Sequence, residues 1–161
     1  MITAERLREL LSYAPETGEF TWLRNRGAAI AGGPAGVLNA LGYRVIRIDR
    51  RLYLAHRLAW LYVHGSWPDS GIDHANCERA DNRIANLRQS TQQQNVRNSR
   101  RRIDNSTGHK GVFWRKNRGK FVATLKSGGR TVWLGTFSDK RQAAAAYAAA
   151  AQSHFGEFAR T

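Results

Sequence analysis

A single cysteine, Cys77, among 161 residues leaves no partner for an internal disulfide and rules out a zinc site with several thiolate ligands. Long hydrophobic runs are missing too. The longest apolar stretch, Ala143 to Ala151, is alanine interrupted by Tyr147, too short and too weakly hydrophobic to span a bilayer. The opening MITAERLREL mixes both charge signs around no apolar segment, so a secretory signal is not expected and a cytoplasmic location is. Acidic residues are scarce, 12 against 26 Lys and Arg, giving a formal net charge of +14. With 42% hydrophobic and 24% charged residues, the chain has the composition of a folded protein rather than a disordered tail. Its length suits one ordinary domain or two small ones.

The charge excess sets up a strong positive field, whose usual reason is a polyanionic partner. Nucleic acid leads, because neutralising phosphates releases condensed counterions. A cationic surface kept for solubility, or attraction to anionic membrane, is the alternative, and accompanying chemistry must separate the two.

Thr3 to Ser12 is expected to be a short amphipathic helix, with Thr3 as cap and Leu7, Leu10 and Leu11 on one face. Phe20 and Trp22 alternate as in a strand, residues 24–36 are a glycine-rich loop, and Val37 to Leu54 has the pattern of a hairpin. In HRLAWLYVHG, Leu58, Leu61 and Tyr62 repeat at helical spacing up to Gly65. Short strands are expected at Ile72 to His74 and at Leu87 to Gln89, then a helix from about Gln92. A basic, polar stretch, Arg97 to Thr107, forms the boundary. Beyond it GVFWRK, KFVATLKS and RTVWLGTF alternate as three strands, and an alanine-rich helix starts at about Asp139.

The segment Asp73 to Asn95 carries the residues for chemistry. Hydrolysing a phosphodiester needs an activated water and stabilised charge on the phosphorus centre and the leaving oxygen. A divalent cation in an oxygen-rich, partly open shell supplies the second, and a neutral imidazole supplies the first. A strand–loop–strand–helix hairpin can bring Asp73 and Asn95 together as hard oxygen ligands, with His74 facing the water.

IDHANCERADNRIANLRQSTQQQN resembles the H-N-H endonuclease motif, in the H-N-N variant of phage-type homing endonucleases, with His74, Asn86 and Asn95 as its three members. PETGEFTW, GYRVIRIDRRLYLAHRLAW and GSWP resemble what precedes the motif there, so the likeness covers roughly residues 13–98. It implies a ββα-metal (His-Me finger) fold in which Asp73 and Asn95 bind one Mg²⁺, Mn²⁺ or other divalent cation. His74 is then the general base, and Asn86 holds the hairpin by hydrogen bonding. Asn82 is given a related structural role and His56 a place behind the site. Where many relatives have Asp-His-x-Asp-Gly, this chain has Asp73-His74-Ala75-Asn76-Cys77, which alters the loop after the base.

KGVFWRKNRGKFVATLKSGGRTVWLGTFSDKRQAAAAYAAAAQSHFGEFA is similar to the plant Apetala-two/ethylene-response-factor DNA-binding domain, through Gly111-Val112, Gly119-Lys120, Trp133 to Phe137, Tyr147 and Phe155-Gly156. Strand alternation separates Val112, Phe121, Ala123 and Leu125 from Val122, Thr124 and Lys126. Lys126, with Arg115, Lys116, Arg118 and Lys120, argues for a basic outer face. The resemblance adds Trp133 as a residue that stacks on sugar or bases, against the alternative of burial. Arg97, Arg100, Arg101 and Arg102 are expected to meet phosphate.

The expectation is an α+β protein: an HNH nuclease domain over residues 1–98, a basic linker over 99–106, and a small three-stranded antiparallel sheet packed on one helix over 107–161. A monomer binding double-stranded DNA and no membrane, in the host cytoplasm if phage-encoded, nicks or cleaves the duplex. The competing reading is a non-catalytic, sequence-specific DNA-binding regulator with a relic nuclease fold. An RNA-directed protein is weaker still, since nothing resembles an RNA-recognition module.

Overall fold

Thr3 caps the first helix, α1 (Ala4–Leu10), by accepting the backbone N–H of Arg6 at 3.2 Å. The chain then turns extended at Leu11, one residue after the helix, so that Leu11–Ala14 (β1) pairs antiparallel with Glu19–Trp22 (β2). This strand lies partly where a helical end was expected. Leu11 and Tyr13 alternate inward along it, and that strand period competes with the helical spacing of the same leucines.

These elements open the computed structural model, which describes residues 1–99 and 104–160. The chain divides into two units, Met1–Thr91 and Gln92–Thr161. The first continues with β3 (Val37–Leu38), β4 (Arg44–Ile48) and β5 (Arg51–Leu54) in one antiparallel sheet, then α2 (Ala55–His64). Asp49 and Arg50 close the β4–β5 hairpin with φ of 46° and 65°, the geometry of a two-residue primed turn. Gly65 ends α2 in the left-handed conformation. Leu7, Leu11, Phe20, Ile46, Ile48, Leu58 and Leu61 are fully buried in one core. Each contributes about 1.5–3 kcal/mol through removal from water. Against this core rests the hairpin of β6 (Gly71–His74) and β7 (Leu87–Ser90), with Asp73 opposite Arg88 and His74 opposite Leu87.

The second unit begins with α3 (Gln92–Asn98), followed by β8 (Val112–Arg115), β9 (Lys120–Ser127), β10 (Arg130–Phe137) and α4 (Lys140–Phe155). The sheet order is β10-β9-β8. Asp139 caps α4 by accepting the Arg141 N–H at 2.5 Å. Val112, Ala123 and Leu125 turn inward onto Ala143, Tyr147 and Ala151 of α4. Alanine is needed on this face because it lets helix and sheet approach closely. Gly111 is held to glycine by the same contact: at φ 71°, a Cβ there would sit 2.2 Å from the Tyr147 ring.

Candidate functional site

The β6–β7 hairpin is stapled across its long connection by one side chain. Asn86, buried and ending a short 3₁₀ turn, accepts the Asn76 N–H on Oδ1 at 3.0 Å and donates from Nδ2 to the Asp81 carbonyl at 2.8 Å. Its backbone carbonyl accepts the Ala75 N–H at 2.9 Å. The amide therefore binds both ends of the 75–85 connection at once. Asn76 in turn donates to Asp81 Oδ2 at 2.7 Å and accepts the Glu78 N–H at 2.8 Å. Cys77 adopts φ 62°, a left-handed conformation disfavoured for any residue with a Cβ. This is the position where glycine stands in the resembling motif. The altered residues thus still make the turn, with backbone strain at Cys77.

His74 ends β6 and is buried. Its Nε2 lies 3.3 Å from Asn82 Oδ1, while Asn82 Nδ2 donates to the Ala80 carbonyl at 3.1 Å. That donation settles which end of the Asn82 amide faces the imidazole. With Oδ1 toward the ring, the contact is a hydrogen bond when the imidazole proton is on Nε2, the tautomer whose basic lone pair is on Nδ1. Asn82 is itself anchored, its carbonyl accepting the Tyr13 hydroxyl at 2.7 Å. Behind His74 stand His56, edge-on at 4.9 Å between ring centroids, and Tyr43 at 6.1 Å. Burial pushes His74 below the ordinary imidazole pKa, opposed by the Asn82 hydrogen bond and the charges of Asp73 and Asp81. His56 is pushed down to about 3, first by burial and then by His74 and Arg57. Both rings are neutral at neutral pH.

Asp73 is buried, and Arg88 grips its Oδ2 through both Nε at 2.9 Å and an η nitrogen at 2.8 Å. Among the described residues no three His, Cys, Asp or Glu side chains cluster as a metal cage. A lone carboxylate with amide oxygens suits one hard divalent cation that keeps water or substrate oxygens in its shell, and suits a softer metal poorly.

In the second unit the cross-strand pairs Phe113↔Val122, Arg115↔Lys120, Thr131↔Lys126 and Trp133↔Thr124 lie on the face away from α4. Arg115, Lys120, Lys126 and Trp133 are exposed there, Trp133 at 57% and Phe113 at 53%. An exposed tryptophan among exposed cationic side chains is an arrangement suited to nucleic acid, the cations to phosphate and the indole to stacking.

Residues 53–97 match the HNH endonuclease family and residues 107–157 match the AP2 domain. The chain carries an HNH endonuclease domain followed by an AP2 domain. Among curated proteins, no significant match to the chain is found. The HNH domain supports a nuclease role in general and the AP2 domain DNA binding. No helix among the described residues is long and apolar enough to cross a membrane.

The HNH match spans β5 to α3 and takes in Asp73, His74, Asn86 and Asn95. Asp73, His74 and Asn86 share the β6–β7 hairpin, whereas Asn95, half-buried on α3, belongs to the second unit. Arg97, on the same helix, stacks its guanidinium over Phe155 at 4.5 Å, and its carbonyl accepts Lys110 Nζ at 2.5 Å. Arg100, Arg101 and Arg102 lie outside the described residues. Lys116 and Arg118 are exposed on the 3₁₀ turn joining β8 to β9 in the AP2 domain. Trp114 points to the α4 side and tilts against Phe121 at 4.7 Å, yet stays 47% exposed. Sequence reasoning passed over Arg88. The signal was available: two strands ending at His74 and starting at Leu87 place Arg88 opposite Asp73.

Proposed function

We propose that this protein is a metal-dependent DNA endonuclease of the homing type that nicks or cleaves duplex DNA, with the AP2 domain holding the substrate. The observation that carries the reading is His74: buried, held below the ordinary imidazole pKa by that burial, and with Nε2 3.3 Å from Asn82 Oδ1, a contact that suits the tautomer with Nδ1 as base. That nitrogen accepts the proton of the attacking water, and the burial that keeps it unprotonated also keeps it ready at neutral pH. Asn86 holds the 75–85 connection that follows His74, so its part in catalysis is positional. Asp73 and Asn95 are the residues that would hold one Mg²⁺, Mn²⁺ or similar ion per site. When bound, that ion supplies positive charge to the phosphate and the departing 3′ oxygen. Arg115, Lys116, Arg118, Lys120, Lys126 and Trp133 are proposed to contact DNA, cations on phosphate and the indole on sugar or base. Arg97, Arg100, Arg101 and Arg102 extend the phosphate contacts.

One observation favours the rival, a binding protein with a relic nuclease fold: the proposed ligand Asp73 is already neutralised by Arg88. Plasmid nicking decides. The parent protein should relax supercoiled plasmid with Mg²⁺ and not in chelator. His74→Ala should lose nicking while binding duplex DNA as before. The nicking rate should fall with pH only below the ordinary imidazole pKa. Parental nicking by His74→Ala would end the base assignment, and no nicking by the parent with any divalent ion would favour the relic.

A further inference from the structure

The Asp73–Arg88 pair is placed by the hairpin register rather than by chance of the surface. The two residues face each other across β6 and β7, both Arg88 nitrogens fall on the same carboxylate oxygen, and the side chains are only 7% and 18% exposed. A guanidinium stays charged at every accessible pH, and a pair this sheltered is weakly screened by solvent. A divalent cation arriving at Asp73 therefore meets a fixed positive charge within a few ångströms, and competes with it for the same oxygen.

We infer that Arg88 is a positioning residue that holds the Asp73 carboxylate and sets its metal affinity low, yielding it only as the cation binds. This rests on the reading of Asp73 as a metal ligand. A merely structural arginine predicts the opposite sign. Removing it would disorder the carboxylate and weaken metal binding, whereas removing a competitor tightens it.

The test is titration of the full-length protein with Mn²⁺, following free ion by electron paramagnetic resonance, for the parent, Arg88→Gln, Arg88→Lys and Asp73→Asn. Arg88→Gln should bind at least threefold more tightly than the parent. Arg88→Lys, which keeps the charge, should stay within about twofold, and Asp73→Asn should lose the site. Unchanged or weaker binding by Arg88→Gln, with Asp73→Asn still losing the site, overturns the inference alone. Parental binding by Asp73→Asn overturns the ligand reading beneath it. If circular dichroism shows Arg88→Gln unfolded, the parent answers by nuclear magnetic resonance. Mg²⁺ should speed exchange of the Arg88 Nε–H, and an unaltered rate refutes the competition.

Discussion

Replacing Asn86 by alanine tests whether the central member of the motif acts through the loop it staples. The substitution deletes two hydrogen bonds, from the Asn76 N–H at 3.0 Å and to the Asp81 carbonyl at 2.8 Å. It leaves intact the backbone bond from the Ala75 N–H to the Asn86 carbonyl. At about 1 kcal/mol net for each lost bond, the connection should be destabilised by about 2 kcal/mol. In an equilibrium that is roughly a thirtyfold rise in the open population. Native-state amide exchange reads this directly: Asn76 should exchange roughly thirtyfold faster, and Ala75 should be less affected. Asn86→Asp, which keeps the acceptor but loses the donor, should fall between. Nicking should drop with the loop's order in the same sequence of variants. If Asn76 exchanges within about threefold of the parent in Asn86→Ala, the amide does not staple the loop, and its place in the motif needs another explanation.

The remaining predictions concern neighbours of the same hairpin. His56 resists protonation in the fold down to about pH 3, whereas an unfolded imidazole takes its proton near pH 6.5. Between those values the unfolded chain binds more protons, so stability falls as pH falls, by up to about 1.4 kcal/mol per pH unit from this group. His56→Phe, which retains a ring against Tyr43 and His74, should flatten that slope in urea unfolding followed from pH 7 to 4; parallel slopes in the two proteins would refute it. Cys77→Gly should stabilise the chain by about 1 kcal/mol, because it relieves a left-handed Cβ at some entropic cost, with nicking retained. A lower denaturation midpoint for that variant would show that no strain is stored there.

Much of this architecture follows from local pattern. The Thr3 and Asp139 caps, the Gly65 stop, and the alternation of β8 to β10 are contained in a few residues each. The exceptions are instructive. Leu11 satisfies a helical face and a strand face equally well, and pairing with Trp22 decided between them. Asp73, His74 and Asn86 could be grouped from the sequence because they stand in the stretch that resembles the H-N-H motif, and all three lie on the β6–β7 hairpin. What Asn82 does was not, since its side-chain amide is oriented by the Ala80 carbonyl while its backbone is anchored by the Tyr13 hydroxyl, 69 positions away in the chain.

Residue types and spacing therefore determined the positive charge and the list of groups able to bind a hard cation or take a proton, and the resemblance of two stretches to known families gave the two kinds of module. Only the tertiary structure decided how those groups are tuned. Burial holds His56 and His74 neutral, cross-strand register sets Arg88 on Asp73, and the sheet turns Trp133 outward and Val112 inward. The physical reason is that composition and period are properties of short stretches of chain. Desolvation and charge pairing, by contrast, arise from neighbours that only folding brings together.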